Sequence, residues 1–135
     1  MFKVKVLTEG KIKEKWLELA LNEYEKRLGG RMEIQWVIDP NFETLALKEK
    51  NLIALDPKGI SYSSVELCET LFTKWGTRPS FVIGGATGLS REILNSAKGI
   101  LSLSPLTFTH QMVRLILLEQ LYRSLEIHQG SSYHK

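Results

Sequence analysis

The 135-residue sequence predicts an α/β fold, a single domain over residues 1–135 with a mostly parallel sheet flanked by helices on both faces. Three observations carry this. Short apolar runs of strand length alternate with amphipathic stretches of helical period. No internal repeat or linker interrupts them. The composition, 43% hydrophobic and 24% charged, suits a buried core and lacks the signature of disorder.

Phe2 to Leu7 alternates apolar residues and is rich in valine, so it reads as a strand, and Glu9-Gly10 turns the chain into a helix. From Lys11 to Leu28 the residues Ile12, Trp16, Leu19, Ala20, Tyr24 and Leu28 recur at helical steps, and Gly29-Gly30 supplies the stop. Met32 to Ile38 alternates again and ends at Asp39-Pro40; Asn51 to Leu55 is a short apolar strand ending at Asp56-Pro57. Between them Asn41 to Lys50 has room for a helical turn at most. Ser63 with Glu66 forms a capping box, in which each side chain satisfies a backbone N–H of the other, and Val65, Cys68, Phe72 and Trp75 mark the buried stripe of the helix that follows.

Ser80 to Ile83 is an apolar strand broken by Gly84-Gly85-Ala86-Thr87-Gly88, after which Ser90 caps a helix through about Ala97. Ile100 to Leu103 is the last strand. A helix from about Thr107 to Ile127 is apolar almost all round between Met112 and Leu118, and Gly130 to Lys135 is a polar tail.

One cysteine can form neither an internal disulfide nor a zinc site, which fits a reducing compartment. No apolar run approaches the ~18 residues of a membrane span, so the expectation is a soluble, cytoplasmic protein with no membrane partner. A net charge of +3 permits an anionic partner without requiring one. No histidine, cysteine and carboxylate grouping has metal-ligand spacing, so no metal is expected.

Three features can carry chemistry. The Gly84–Gly88 cluster ends a strand, where α/β sheets bind ligands and where glycine admits close backbone approach. It matches neither the dinucleotide fingerprint nor a Walker loop, since Leu89 follows Gly88 and no acidic residue stands about 20 positions on. A simple tight turn explains these glycines equally. The second feature is Leu101 to His110, whose alternating hydroxyl and apolar groups suit an apolar ligand pocket, or else a hydrophobic connection capped by Ser104 or Thr107. His110, Gln111 and Arg114 share a helical face just beyond it. The third is the tail, where Tyr133, His134 and Lys135 offer stacking, proton transfer and phosphate contact, although tails fray by default. Cys68 reads as packing, His128 as an exposed residue after the helix, and Glu119 with Arg123, like Glu14 with Glu18, as solvated charge spacing.

Taken in order, Phe81–Ser90, then Leu101-Ser102-Leu103-Ser104 with Thr107 and His110, then Arg114, Glu119, Tyr122 and Arg123, and finally Tyr133-His134-Lys135 resemble one family over the whole chain. It is the RlmH family, formerly YbeA, of SPOUT-class methyltransferases that act on pseudouridine in 23S ribosomal RNA. The resemblance implies a deep C-terminal trefoil knot, an architecture that chain-connection rules alone would not suggest. It implies S-adenosylmethionine as cofactor, held by Leu55, Gly84, Leu103, Ser104, Pro105, Leu106, Thr107 and Phe108. His134, Tyr133 and Arg114 are then the candidate catalytic residues, and His110, Arg123 and Lys135 the candidate RNA contacts. A homodimer acting on the large subunit or whole ribosome is implied as well. The alternative is a catalytically silent RNA-binding or ribosome-associated module of the same fold. Three departures stand out: the short 41–50 segment where the family carries a longer insertion, and Thr109 and Ser132 where it commonly has proline.

Overall fold

A computed structural model describes residues 1–134; Lys135 lies outside the described residues. The elements are β1 (Phe2–Thr8), α1 (Lys15–Leu28), β2 (Met32–Ile38), α2 (Phe42–Ala46), β3 (Leu52–Ser61), α3 (Ser64–Thr70, continued as a π turn Leu71–Trp75), β4 (Ser80–Ile83), α4 (Arg91–Ser96), β5 (Gly99–Ser102) and α5 (His110–His128). The five strands form one sheet in the order β2-β1-β4-β3-β5, with every pairing parallel.

Side chains alternate across the sheet, as the two-residue strand period requires. Val4, Val6, Ile53, Leu55, Phe81, Ile83 and Leu101 pack with α1, α3 and α5, while Leu7, Leu52, Ala54 and Val82 pack with α2 and α4. Both faces are covered, which is why the central strands Leu52–Leu55 and Ser80–Ile83 are buried along their whole length. No helix among the described residues is long and apolar enough to cross a membrane.

Several elements differ from expectation. Helix α1 begins at Lys15, and its buried stripe is Leu17, Leu21 and Leu28, whereas Trp16 and Leu19 stand 53% and 58% exposed. The stretch offers two overlapping apolar stripes, and only the sheet and α5 decide between them. In α3 the stripe is Leu67, Cys68, Leu71 and Trp75, shifted so that Val65 is exposed. The Ser63–Glu66 capping box is present as expected, with Ser63 Oγ accepting from Glu66 N at 3.1 Å and Glu66 Oε1 accepting from Ser63 N at 2.8 Å.

Strand β3 does not stop at Asp56-Pro57. Its register with β5 shifts between Leu55 and Ile60, so the intervening residues bulge and the strand resumes at Ile60 opposite Leu101. A bulge is where a strand tolerates proline, because no ladder hydrogen bond is lost there. Asp56 Oδ1 accepts from Lys58 N at 2.8 Å and closes this turn. The start of α5 is also later than expected. Thr109 is its N-cap, accepting from Met112 N at 3.2 Å, while Ser104 instead accepts from Leu106 N at 3.0 Å within the preceding loop.

Candidate functional site

The carboxyl ends of β3, β4 and β5 lie side by side, and the three segments that leave them enclose a cavity of about 620 Å³. Leu55 and the Asp56-Pro57 bulge come from β3, Gly84 to Gly88 from the β4–α4 turn, and Leu103 to His110 from the β5–α5 loop. Of the residues assigned to a cofactor, Leu55, Gly84, Leu103, Ser104, Leu106, Thr107 and Phe108 line this cavity. Pro105 is exposed and is not on its wall. His110, expected as an RNA contact, is also a wall residue, joined by Ile83, Leu89, Leu101 and Val113. The size falls within the range of small-molecule sites, and leucine and phenylalanine walls beside irregular backbone suit a heterocyclic ligand. Leu106 is 70% exposed and Phe108 36% exposed, so large apolar groups stand at the cavity with little else covering them.

Glycine at position 84 is required by the turn itself. A Cβ there would stand 2.7 Å from the carbonyl carbon of Gly88. Gly88 has a positive φ of 78°, and Gly85 and Gly88 form an antiparallel bridge. The tight-turn and ligand readings therefore coincide: the turn demands glycine, and its backbone is cavity wall. A second cavity of about 580 Å³ shares Asp56, Pro57 and Leu89 with the first and adds Lys58, Arg91 and Asn95. Neither Lys58 nor Arg91 forms an ion pair among the described residues.

Arg114 is not at the surface. Its residue is fully buried, and Nη2 donates to the carbonyl oxygens of Glu9 at 2.9 Å and Gly10 at 2.6 Å. Burial pulls its pKa below the usual guanidinium value. Gln111 Nε2 donates to Lys11 O at 3.0 Å, so both side chains bind the β1–α1 turn to the first turns of α5 beside the cavity. The residue named as a catalytic candidate by resemblance thus holds a backbone turn in place.

Among the described residues, none of the tail lines the cavity of its own chain. Tyr133 OH donates to Glu119 Oε2 at 2.9 Å, Tyr24 OH donates to the same oxygen at 3.0 Å, and Arg123 Nε donates to Glu119 Oε1 at 2.7 Å. The Arg123 guanidinium lies 4.8 Å from the Tyr133 ring centroid, and its Nη1 is 3.0 Å from His134 Nδ1. A guanidinium only donates, so His134 Nδ1 accepts here, and a neutral imidazole then carries its hydrogen on Nε2. Tyr133 and His134 are half-buried. Its two α5 residues, Glu119 and Arg123, sit roughly 14 and 20 Å along the helix from His110, at ~1.5 Å per residue.

Glu119 and Arg123 are therefore not a solvated pair: their side chains are 20% and 25% exposed. The i,i+4 spacing was visible in the sequence, whereas the tyrosine partners, 95 and 14 residues away, were not. Sequence reasoning names Glu119 and Tyr24 but not the contact that joins them to Tyr133. Cys68 is buried, as expected of a packing residue. His128 is exposed as expected, yet it is the last residue of α5 and stacks on Phe72 at 3.8 Å. Among the described residues no group of three histidine, cysteine or carboxylate side chains is placed to hold a metal.

A parallel sheet with an apolar cavity outside its carboxyl edge, walled by a glycine turn and an irregular loop, defines a small-molecule-binding α/β protein of the kind that works on a bound cofactor or substrate. The chain belongs to the SPOUT methyltransferase family: residues 2–134 match the family described as "Predicted SPOUT methyltransferase". It is 48% identical to the ribosomal RNA large subunit methyltransferase H of Protochlamydia amoebophila, covering all of both chains. It is 41% identical to the protein of that name from Acetivibrio thermocellus, over 98% of this chain and 99% of the relative. Among solved structures, a probable methylase family protein from Haemophilus influenzae superimposes with a TM-score of 0.64 at 10% identity, over 99% of this chain and 70% of that one. A putative methyltransferase from Legionella pneumophila, solved with its bound cofactor SAM, does so with a TM-score of 0.52 at 14% identity, over 92% and 66%. At these identities the structural likeness concerns the fold.

Proposed function

We propose that the chain, working as one SPOUT domain, transfers a methyl group from S-adenosylmethionine to N3 of a pseudouridine in 23S ribosomal RNA, on the assembled or nearly assembled large subunit. The carrying observation is the convergence of Leu55, Gly84 and the 103–108 loop, far apart in sequence, on one apolar cavity at the carboxyl edge of the sheet. The relatives' printed name supports ribosomal RNA as the substrate class, and the trefoil knot of the SPOUT class is carried as part of the same reading.

The residues present fit the cofactor. Leu55, Leu103, Leu106 and Phe108 supply apolar walls, the glycine turn places only the small Ala86 side chain on the wall, and the loop backbone around Ser104 and Thr107 offers hydrogen-bonding groups that no regular element consumes. Pro105 contributes by stiffening that loop rather than by contact, since its ring fixes φ. S-adenosylmethionine, when bound, supplies a methyl already activated by its sulfonium, so the protein's main task is alignment. Tyr133 and His134 orient the base, with His134 offering the Nε2 hydrogen to a carbonyl, and the N3 proton, which must leave as the methyl arrives, passes to water at the Tyr133 hydroxyl. Arg123 and Lys135 contact RNA, and Arg114 holds the β1–α1 turn at the cavity's edge.

Because tail and cavity occupy different stretches of α5, the reading includes a homodimer in which one chain's tail completes its partner's cavity. The partly exposed residues Met112, Val113, Leu115 and Ile116 provide an apolar surface for such pairing. Lys58 and Arg91 beside the cavity support approach of a phosphate backbone, while a net charge of +3 gives little general grip on RNA. Ribosome shape then supplies recognition, in a cytoplasmic setting. The test is mass spectrometry of 23S ribosomal RNA from cells lacking the gene: loss of one methyl from a pseudouridine is expected, and an unchanged modification map overturns the proposal.

A further inference from the structure

Both oxygens of the Glu119 carboxylate are committed. Oε2 takes hydrogens from Tyr24 OH of α1 and Tyr133 OH of the tail, and Oε1 takes one from Arg123 Nε of α5. Three donors from three segments thus meet on one acceptor-only group, and no other residue type supplies that many acceptor sites at that reach. Burial, then the neighbouring Glu119, pushes the Tyr24 phenol pKa well above its usual value, so Tyr24 acts there as a donor.

We infer that Glu119 is a positioning residue for the methyl transfer: by gathering Tyr24, Tyr133 and Arg123 it fixes the tail, and through Arg123 the tautomer of His134, in the arrangement that meets the substrate base. The inference rests on the methyltransferase reading above. Without Glu119 the Tyr133 hydroxyl loses its acceptor, and Arg123 loses the anchor that keeps it over the Tyr133 ring and against His134 Nδ1. A tail held at both of its aromatic residues reacts as a preorganised group, whereas a free one must be ordered at each encounter. Tyr24 belongs to the same device, tying it to α1 rather than to the tail alone.

The experiment uses the full chain, ribosomes lacking the modification and methyl-labelled S-adenosylmethionine, with hydrogen exchange at the amides of residues 131–134 as a second readout. Glu119→Gln keeps the shape but turns an amide donor toward either Arg123 or the two tyrosine hydroxyls. It is expected to lower kcat by about tenfold or more, to leave cofactor Kd unchanged, and to speed exchange in the tail. The double variant E119Q/Y133F should lose less than the product of the two single losses, because the two variants share the Glu119–Tyr133 contact. Wild-type kcat with wild-type tail exchange in Glu119→Gln overturns the inference, and so do losses that multiply in the double variant. If Glu119→Gln fails to fold, Tyr24→Phe removes one donor without touching charge, and unchanged kcat together with unchanged tail exchange then overturns it. Wild-type protein that leaves the ribosomes unlabelled contradicts the methyltransferase reading instead, and the tail-exchange comparison still decides the role of Glu119.

Discussion

Gly84 and Gly88 approach so closely that a Cβ on Gly84 would stand 2.7 Å from the Gly88 carbonyl carbon and 3.0 Å from its Cα. The obstacle is backbone, which cannot swing aside as a long side chain would.

Gly84→Ala is therefore expected to push the 84–88 turn out of place and to change the wall of the larger cavity. Overpacking of this kind costs about 1–3 kcal/mol in stability. Calorimetry should show S-adenosylmethionine binding weakened by at least about tenfold, equivalent to ~1.4 kcal/mol. Wild-type affinity in Gly84→Ala would separate the turn from the cofactor.

Arg114 is a buried cation serving two backbone carbonyls, so its loss acts on stability before it acts on RNA. Arg114→Ala leaves both acceptors unpaired and opens a cavity, an expected loss of about 2–5 kcal/mol in chemical denaturation. An RNA-contact role alone would leave the denaturation midpoint unmoved.

The two apolar stripes of α1 make opposite forecasts. Leu17→Ala or Leu21→Ala removes a fully buried side chain and should cost about 2–5 kcal/mol. Trp16→Ala or Leu19→Ala changes an exposed residue and should stay within about 0.5 kcal/mol of wild type. Denaturant melts of the four variants check this.

Acid sensitivity has a definite sign at Glu126. The hydrogen bond from Arg31, 2.8 Å long, holds the Glu126 carboxyl below its usual pKa. A carboxyl depressed in the folded state stabilises it above the unfolded pKa and loses that contribution as pH falls through the carboxylate range. Both side chains are partly solvated, so the amount is under about 1 kcal/mol. Arg31→Met should flatten the decline of stability below about pH 5, measured as the denaturation midpoint against pH; an identical pH profile would contradict the assignment.

Subunit complementation tests the shared site. A Gly84 variant and a Tyr133/His134 variant, each inactive alone, should regain about a quarter of wild-type activity when refolded together in equal amounts, because half of the dimers then hold one intact pair of parts. No recovery would mean that each chain serves its own cavity.

Much of the fold was legible because local chemistry dictated it: the Ser63–Glu66 box, the all-apolar Ser80–Ile83 strand and the Ser90 cap depend on neighbours in sequence. The stripe of α1 and the Asp56–Gly59 bulge depend on what packs against them. So does Gly59, whose Cβ would stand 2.6 Å from Ile100 O. At the site, seven of the eight residues that resemblance assigns to the cofactor meet at one cavity, Pro105 excepted. The interior position of Arg114 and the gathering of Tyr24, Glu119 and Tyr133 needed the folded chain, because no short-range pattern links residues 95 positions apart.

The most direct measurement incubates the purified chain with ribosomes lacking the modification and methyl-labelled S-adenosylmethionine, then resolves the nucleosides of the 23S RNA. One label per ribosome on N3 of a pseudouridine is the predicted result, with naked RNA labelled far more weakly. Labelling of another nucleoside, or none despite bound cofactor, would contradict it.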